Sequence, residues 1–150
     1  ALHRAVVMTP TETANVGVVG RYFEGCQTGD VALLRETLAD DVVHYFLPER
    51  FAPIRGAEHL ARHWARFHRL LAPTWALDRL LARDDEVVSE WSCLWTPPGT
   101  NRPVMMRGTE WYVLAAGRLR EIRAYLIDDP SRDTGLQGFP YAARGYLMRP

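Results

Sequence analysis

"GTEWYVLAAGRLREIRAYL", residues 108–126, reads as two β-strands around a tight turn at "AAG". Side chains alternate across a strand, so one choice of register decides which of them meet a core. On the first strand the two sets are Thr109, Trp111 and Val113 against Glu110, Tyr112 and Leu114. On the second they are Ile122, Ala124, Leu126 and Asp128 against Leu119, Glu121, Arg123 and Tyr125. The preceding "EVVSEWSCLW" divides into Val87, Ser89, Trp91, Cys93 and Trp95 against Val88, Glu90, Ser92 and Leu94. Burying Glu90, Glu110, Glu121 and Arg123 together is costly, whereas burying the tryptophans is favourable. The expected inner face is therefore Trp91, Cys93, Trp95, Thr109, Trp111, Val113, Ile122, Ala124 and Leu126. Glu90, Glu110, Tyr112, Arg123 and Tyr125 are expected outside, either as a homodimer interface rich in Tyr and complementary charge or as a solvated face.

Upstream of this hairpin the pattern turns helical. Thr11 or Thr13 caps a first helix with Val18, Tyr22 and Cys26 in line, and Gly29 ends it. Asp30 caps a short second helix, "VALLRETLA". "DDVVHYFLP" is a strand, and "PERFAPIRG" a loop. The third helix, "AEHLARHWARFHRLLA", places Leu60, His63, Trp64, Phe67 and Leu71 on one face and Arg62, Arg66 and Arg69 on the other. "TWALDRLLARDD" is a further strand and turn. Helices first and antiparallel strands after give an α+β fold. Residues 9–150 form one domain, 1–8 are a short N-terminal extension, and 128–150 are a loop-rich tail whose Phe139, Tyr141 and Tyr146 are expected to lid a pocket or to pack on a partner subunit.

A chain of 150 residues is long enough for one domain with a real core. The formal net charge is zero, which gives no reason to expect nucleic acid or an anionic membrane as partner. All 18 basic residues are Arg, so amine and Schiff-base chemistry by Lys is excluded. Cys26 and Cys93 make neither a disulfide framework nor a metal-ligand pattern, and a reduced, cytoplasmic setting is the expectation. No metal or cofactor is expected, because of the histidines His59 and His63, at i and i+4, only His63 joins the apolar face.

The ordered set "RYFEGCQTGD", "LADDVVHYFLP", "IRGAEHLARHW", "RGTEWYVL" and "AAGRLREIRAYL" resembles the SnoaL-like domains of the nuclear transport factor 2-like superfamily. The tail "GFPYAARGY" also resembles the ending of a subgroup of bacterial SnoaL-like proteins. The resemblance implies a cone-shaped barrel, with a curved antiparallel sheet wrapped around the long helix and two further N-terminal helices. It also implies a pocket between sheet and helices, and frequent homodimers. It does not fix an activity, because a superfold hosts many.

The ketosteroid isomerase branch implies an oxyanion-binding Tyr at Tyr22, a carboxylate base at the position of Phe46 and a protonated acid at that of Thr109. The epoxide hydrolase branch implies Arg and Asp where Trp91 and Cys93 stand. That branch and the polyketide cyclases imply an acid at the position of Ala124. The usual acids of these relatives are thus absent. The remaining candidates for proton transfer are His63, His44 and Asp128, with Tyr22 polarising an oxygen; each also has a structural reading as a core or turn residue. Phe46, Trp64, Trp91, Trp95, Arg107, Thr109, Trp111 and Ala124 are the expected substrate-binding residues, the aromatics suiting a flat hydrophobic molecule and Arg107 an anionic or enolate one. The expected function is a cofactor-independent cyclase, isomerase or dehydratase of bacterial secondary metabolism acting on a polyketide- or terpenoid-like substrate. The alternative is a non-catalytic binder of small molecules.

Overall fold

The structure, a computed structural model, describes residues 7–49 and 51–150. Most of the expected N-terminal extension, residues 1–6, lies outside them. Helix α1 (Pro10–Thr28) starts one turn earlier than expected, because Thr9 and Glu12 form a reciprocal capping box and Pro10 occupies the first turn. Gly29, in the left-handed region, closes it. Asp30 caps α2 (Val31–Thr37), which runs directly into β1 (Leu38–Leu47). The segment expected as a loop contains a short strand, β2 (Ile54–Arg55), paired to β1 at Val43 and His44. Then come α3 (Ala57–Leu71), β3 (Thr74–Arg83), β4 (Glu86–Trp95), β5 (Val104–Ala115) and β6 (Arg118–Leu126).

The six strands form one sheet in the order β2-β1-β6-β5-β4-β3. The α+β cone architecture is as expected in outline, with two differences. The sheet is mixed, because β1 lies parallel to β6. It is also open, with β2 and β3 as edges. A parallel pair needs a long crossover, and here the crossover runs from β1 through α3 and the three following strands. The helices lie on one face of the sheet, and Leu60, Ala61 and Trp64 of α3 join Val19, Tyr22, Leu34, Val42, Val87 and Ile122 in the core.

The expected register holds on β4 and over Ile122–Leu126 of β6, where Leu119, expected outside, is instead buried beside the register shift; it is reversed on β5. Glu110 stands opposite Ser89 and Ala124, and Tyr112 opposite Val87 and Ile122. Glu110 and Tyr112 are buried, whereas Trp111 is 37% exposed on the outer face with Thr109 and Val113. The four charges weighed as one set do not move together: Glu90, Glu121 and Arg123 stay outside, and Glu110 alone turns in. The hairpin shows how the strands become independent. Ala116 and Gly117 both have positive φ, as a two-residue type I′ turn requires, and the register shifts between Val113 and Leu114. Gly108 fixes the result. The Trp91 ring lies across it so closely that a Cβ there would be 2.4 Å from Cζ2. Only glycine permits that approach, so Gly108, Glu110 and Tyr112 share the inner face.

The tail does not lid the pocket. Phe139, Tyr141 and Tyr146 stack edge to face on one another against the outer sheet face. Tyr146 donates to Glu90, and Arg107 lies 3.8 Å from the Tyr141 ring centroid while donating to Ser92 Oγ and the Leu147 carbonyl. Asp78 accepts from Ser92 Oγ and from the Leu147 backbone N–H. Polar side chains on the outer face of β3–β5 thus hold the tail away from the cavity. The tail and the inward Glu110 and Tyr112 also revise the expected dimer face, of which Arg123 and Tyr125 remain as expected outside while Glu90 is engaged by the tail.

Candidate functional site

The concave face of the sheet and α3 enclose a cavity of about 420 Å³. Its walls are mostly aromatic: Phe46, Trp64, Phe67, Trp75, Trp91 and Trp95 all border it. Their inward placement follows from local structure. Trp64 and Phe67 sit on the apolar stripe of α3, Phe46 follows His44 by two on β1, and Trp91 and Trp95 share a face of β4. Trp75 stands opposite Cys93 on the neighbouring strand and so points the same way. Trp75, Trp91 and Trp95 each bury an indole N–H that has no hydrogen-bond partner.

Of the residues expected at a site, Phe46, His63, Trp64, Trp91, Trp95, Ala124 and Asp128 border this one cavity. Arg107, Thr109 and Trp111 do not; they occupy the outer face, where Arg107 anchors the tail and Trp111 Nε1 donates to Glu86 at 2.8 Å. Tyr22 is fully buried behind the cavity, and its hydroxyl accepts a 2.6 Å hydrogen bond from Trp64 Nε1. Burial, then the nearby Cys26 and Glu110, raise its pKa well above the ordinary phenol value. It is placed to support Trp64 rather than to meet a ligand.

Among the lining residues not expected at the site, two change its chemistry. Trp75 replaces Trp111 in the aromatic wall. Glu110 brings a carboxylate to the cavity from a strand read with the opposite register. It is 5% exposed and held from both sides. Tyr112 donates to Oε2, and Ser89 Oγ lies 3.1 Å from the same phenol oxygen. Because the phenol proton is given to the carboxylate, Ser89 donates to Tyr112, making a chain from Ser89 through Tyr112 to Glu110. Burial, then the Glu110 charge, push the Tyr112 pKa well up, so the phenol stays a donor. On the other side, His44 Nε2 lies 3.5 Å from Glu110 Oε1, an ion-pair separation without hydrogen-bond alignment.

His44 is wholly buried and stacks on Phe46 at 4.1 Å. It backs Glu110 without bordering the cavity. His63, from α3, is an exposed residue at the cavity rim beside Trp64, and partial desolvation, then His44 and Arg66, lower its pKa to about 4. Its imidazole is therefore neutral near pH 7, with one N–H donor and one acceptor nitrogen. Ala124 stands between Glu110 on β5 and Phe46 on β1, and its small side chain leaves space above that rung. Among the described residues no group of three or more His, Cys, Asp or Glu could hold a metal ion. Both thiols are buried, and burial raises the pKa of each.

Residues 19–122 match the SnoaL-like domain profile. The chain belongs to the SnoaL-like domain family. Its fold is shared with solved structures of the nuclear transport factor 2-like group. A protein of unknown function with a cystatin-like fold from Methylobium petroleophilum PM1 is 27% identical, with a TM-score of 0.71 over 95% of this chain and 97% of that one. A proposed SnoaL-like polyketide cyclase from Jannaschia sp. CCS1 is 20% identical, with a TM-score of 0.71 over 81% and 91%. An LEH-like epoxide hydrolase from M. tuberculosis is 20% identical, with a TM-score of 0.69 over 79% and 86%. No curated protein matches the chain. No helix among the described residues is long and apolar enough to cross a membrane.

Proposed function

We propose that this SnoaL-like domain is a cofactor-independent cyclase, isomerase or dehydratase that moves a proton on a flat, hydrophobic, oxygenated substrate of polyketide or terpenoid type, in bacterial secondary metabolism. The observation that carries the reading is the Glu110 carboxylate, buried at the floor of an aromatic cavity that His63 enters from the helix wall. The floor supplies a proton acceptor and the wall a neutral hydrogen-bond donor. In the simplest step a C–H bond next to a carbonyl breaks, its proton passes to Glu110 Oε1, and its electron pair moves through the carbonyl onto oxygen, which accepts a hydrogen bond from His63. Returning the proton to the same or another carbon completes exchange or isomerisation. His44 and Tyr112 hold Glu110, the aromatic walls exclude water, and Asp128 lies at the cavity edge. The similarity to the Jannaschia protein, itself a proposed polyketide cyclase, agrees with this reading.

The test is deuterium uptake from D2O into 2-tetralone, a flat bicyclic ketone, followed by NMR. A positioned general base contributes about 10²–10⁴-fold, so exchange well above buffer is expected, falling to the buffer rate in Glu110→Gln. Binding of the ketone without faster exchange would instead favour the non-catalytic binding reading. That alternative draws on Phe46 and Ala124, apolar groups in the cavity where related enzymes are expected to carry acids.

The partly uncovered outer face suits a homodimer. Cross-strand neighbours Leu81, Val88, Trp111, Arg123 and Tyr45 form one row across it, with Leu81, Trp111 and Tyr45 exposed. Light scattering should show a dimer that Trp111→Glu converts to monomer; a monomeric wild type rejects this proposal.

A further inference from the structure

Glu110 at the floor and His63 on the helix wall face one cavity, with Asp128 at its edge. At the floor, the Tyr112 proton is given to Glu110 Oε2, and the Ser89 proton is given to Tyr112. His44 is sealed behind Phe46, with no exposed surface. Oε2 is taken by Tyr112 and Oε1 lies 3.5 Å from His44 Nε2, so what Glu110 brings to the cavity is a carboxylate, which when ionised only accepts. On the helix wall His63 offers an N–H. Rung geometry adds direction. Ala124 separates Glu110 from Phe46, so the edge of a flat ring fits over Ala124 beside Oε1.

We propose that the cavity selects flat ligands with a protic edge, a phenol or enol O–H or an activated C–H, set against Glu110 Oε1 with the ligand's carbonyl turned to His63. Tyr112 holds Oε2 and so leaves Oε1 as the working oxygen. A ligand that presents an ether, carbonyl or carboxylate oxygen to the floor meets a second acceptor with no proton between them and is rejected. This inference rests on the functional reading above and narrows it to a substrate class and an orientation.

The test compares 7-hydroxycoumarin with 7-methoxycoumarin by equilibrium dialysis at about pH 6, where the phenol keeps its proton and His63 is still largely neutral. The two share a ring system and differ in the donor. A hydrogen bond to a charged group corresponds to roughly ten- to a hundredfold in affinity, so the hydroxyl compound should bind at least about tenfold tighter. In Glu110→Gln, whose amide both donates and accepts, the ratio should fall to within about threefold. Equal affinities in the wild type, or tighter binding of the methoxy compound, overturn the inference while leaving the proton-transfer reading standing. The wild-type ratio decides the matter even if Glu110→Gln does not fold. Failure of both compounds to bind overturns the cavity as a ligand site, and both readings with it.

Discussion

Gly108→Ala is the sharpest probe of how β5 is oriented. The new Cβ would lie 2.4 Å from Trp91 Cζ2 and 2.9 Å from Cε2 and Cη2. Carbon atoms in contact prefer about 3.5–4.0 Å, so the indole must retreat by at least about 1 Å. Trp91 is 2% exposed and packs edge to face on Trp75 at 5.2 Å, which resists the shift. The cavity in front of the ring gives it one direction of escape. Overpacking of a core costs about 1–3 kcal/mol, and the partial escape places this case near the middle, at about 2 kcal/mol. For a domain of this size that corresponds to a fall in Tm of roughly 4–8 °C, measurable by calorimetry. The displaced ring also enters the cavity, so affinity for 7-hydroxycoumarin should drop. Trp111→Ala is the matched control. It removes an exposed ring and its bonds to Glu86 and Arg123 and, measured at protein concentrations where the chain is monomeric, should cost about 1 kcal/mol or less. A neutral Gly108→Ala beside a Trp111→Ala loss of about 3–5 kcal/mol, the range for a buried tryptophan, would refute the orientation.

Two further predictions follow from groups on opposite faces of the sheet. The His63 ring resonances should titrate with a midpoint near 4, well below the ordinary value of about 6.5. Because the unfolded chain takes up this proton first, His63 lowers stability as pH falls from about 6.5 toward 4; the effect is modest, since solvent in the open cavity screens the ring. A midpoint near 6.5 would show that the cavity wall does not desolvate His63. On the outer face, Arg107→Met should speed amide hydrogen exchange across residues 134–149 by about tenfold or more while leaving coumarin binding within about twofold, because Arg107 ties Ser92, Leu147 and Tyr141 together and does not border the cavity. Unchanged exchange would mean the tail is held by other contacts.

The helices, the strand order along the chain and most of the aromatic wall were legible in the sequence, because each rests on a period or a cap. The α3 stripe of Leu60, Trp64 and Phe67 is one example, and the alternation of Trp91, Cys93 and Trp95 on β4 is another. The face of β5 was not legible from alternation, since Thr109–Trp111–Val113 and Glu110–Tyr112–Leu114 are both plausible core sets. The cost of burying charge pointed to the wrong one. That cost assumes an unpaired carboxylate, whereas Glu110 receives a hydrogen bond from Tyr112 and faces His44, a residue far away in sequence. Gly108 was the available signal: a glycine within a strand marks a close approach, here by Trp91 on the adjacent strand. The parallel pairing of β1 with β6 and the path of the tail depend on contacts between distant segments, Arg107 to Leu147 among them, which no local pattern records.

The central claim is that Glu110 is the carboxylate that meets the ligand. Carbon-13 NMR of protein labelled at the glutamate side-chain carboxyl tests it most directly. The Glu110 resonance is identified by its loss in Glu110→Gln. On saturation with 7-hydroxycoumarin it should shift, while exposed glutamates such as Glu24 and Glu58 stay unmoved. A Glu110 resonance that ignores the bound ligand would contradict the account.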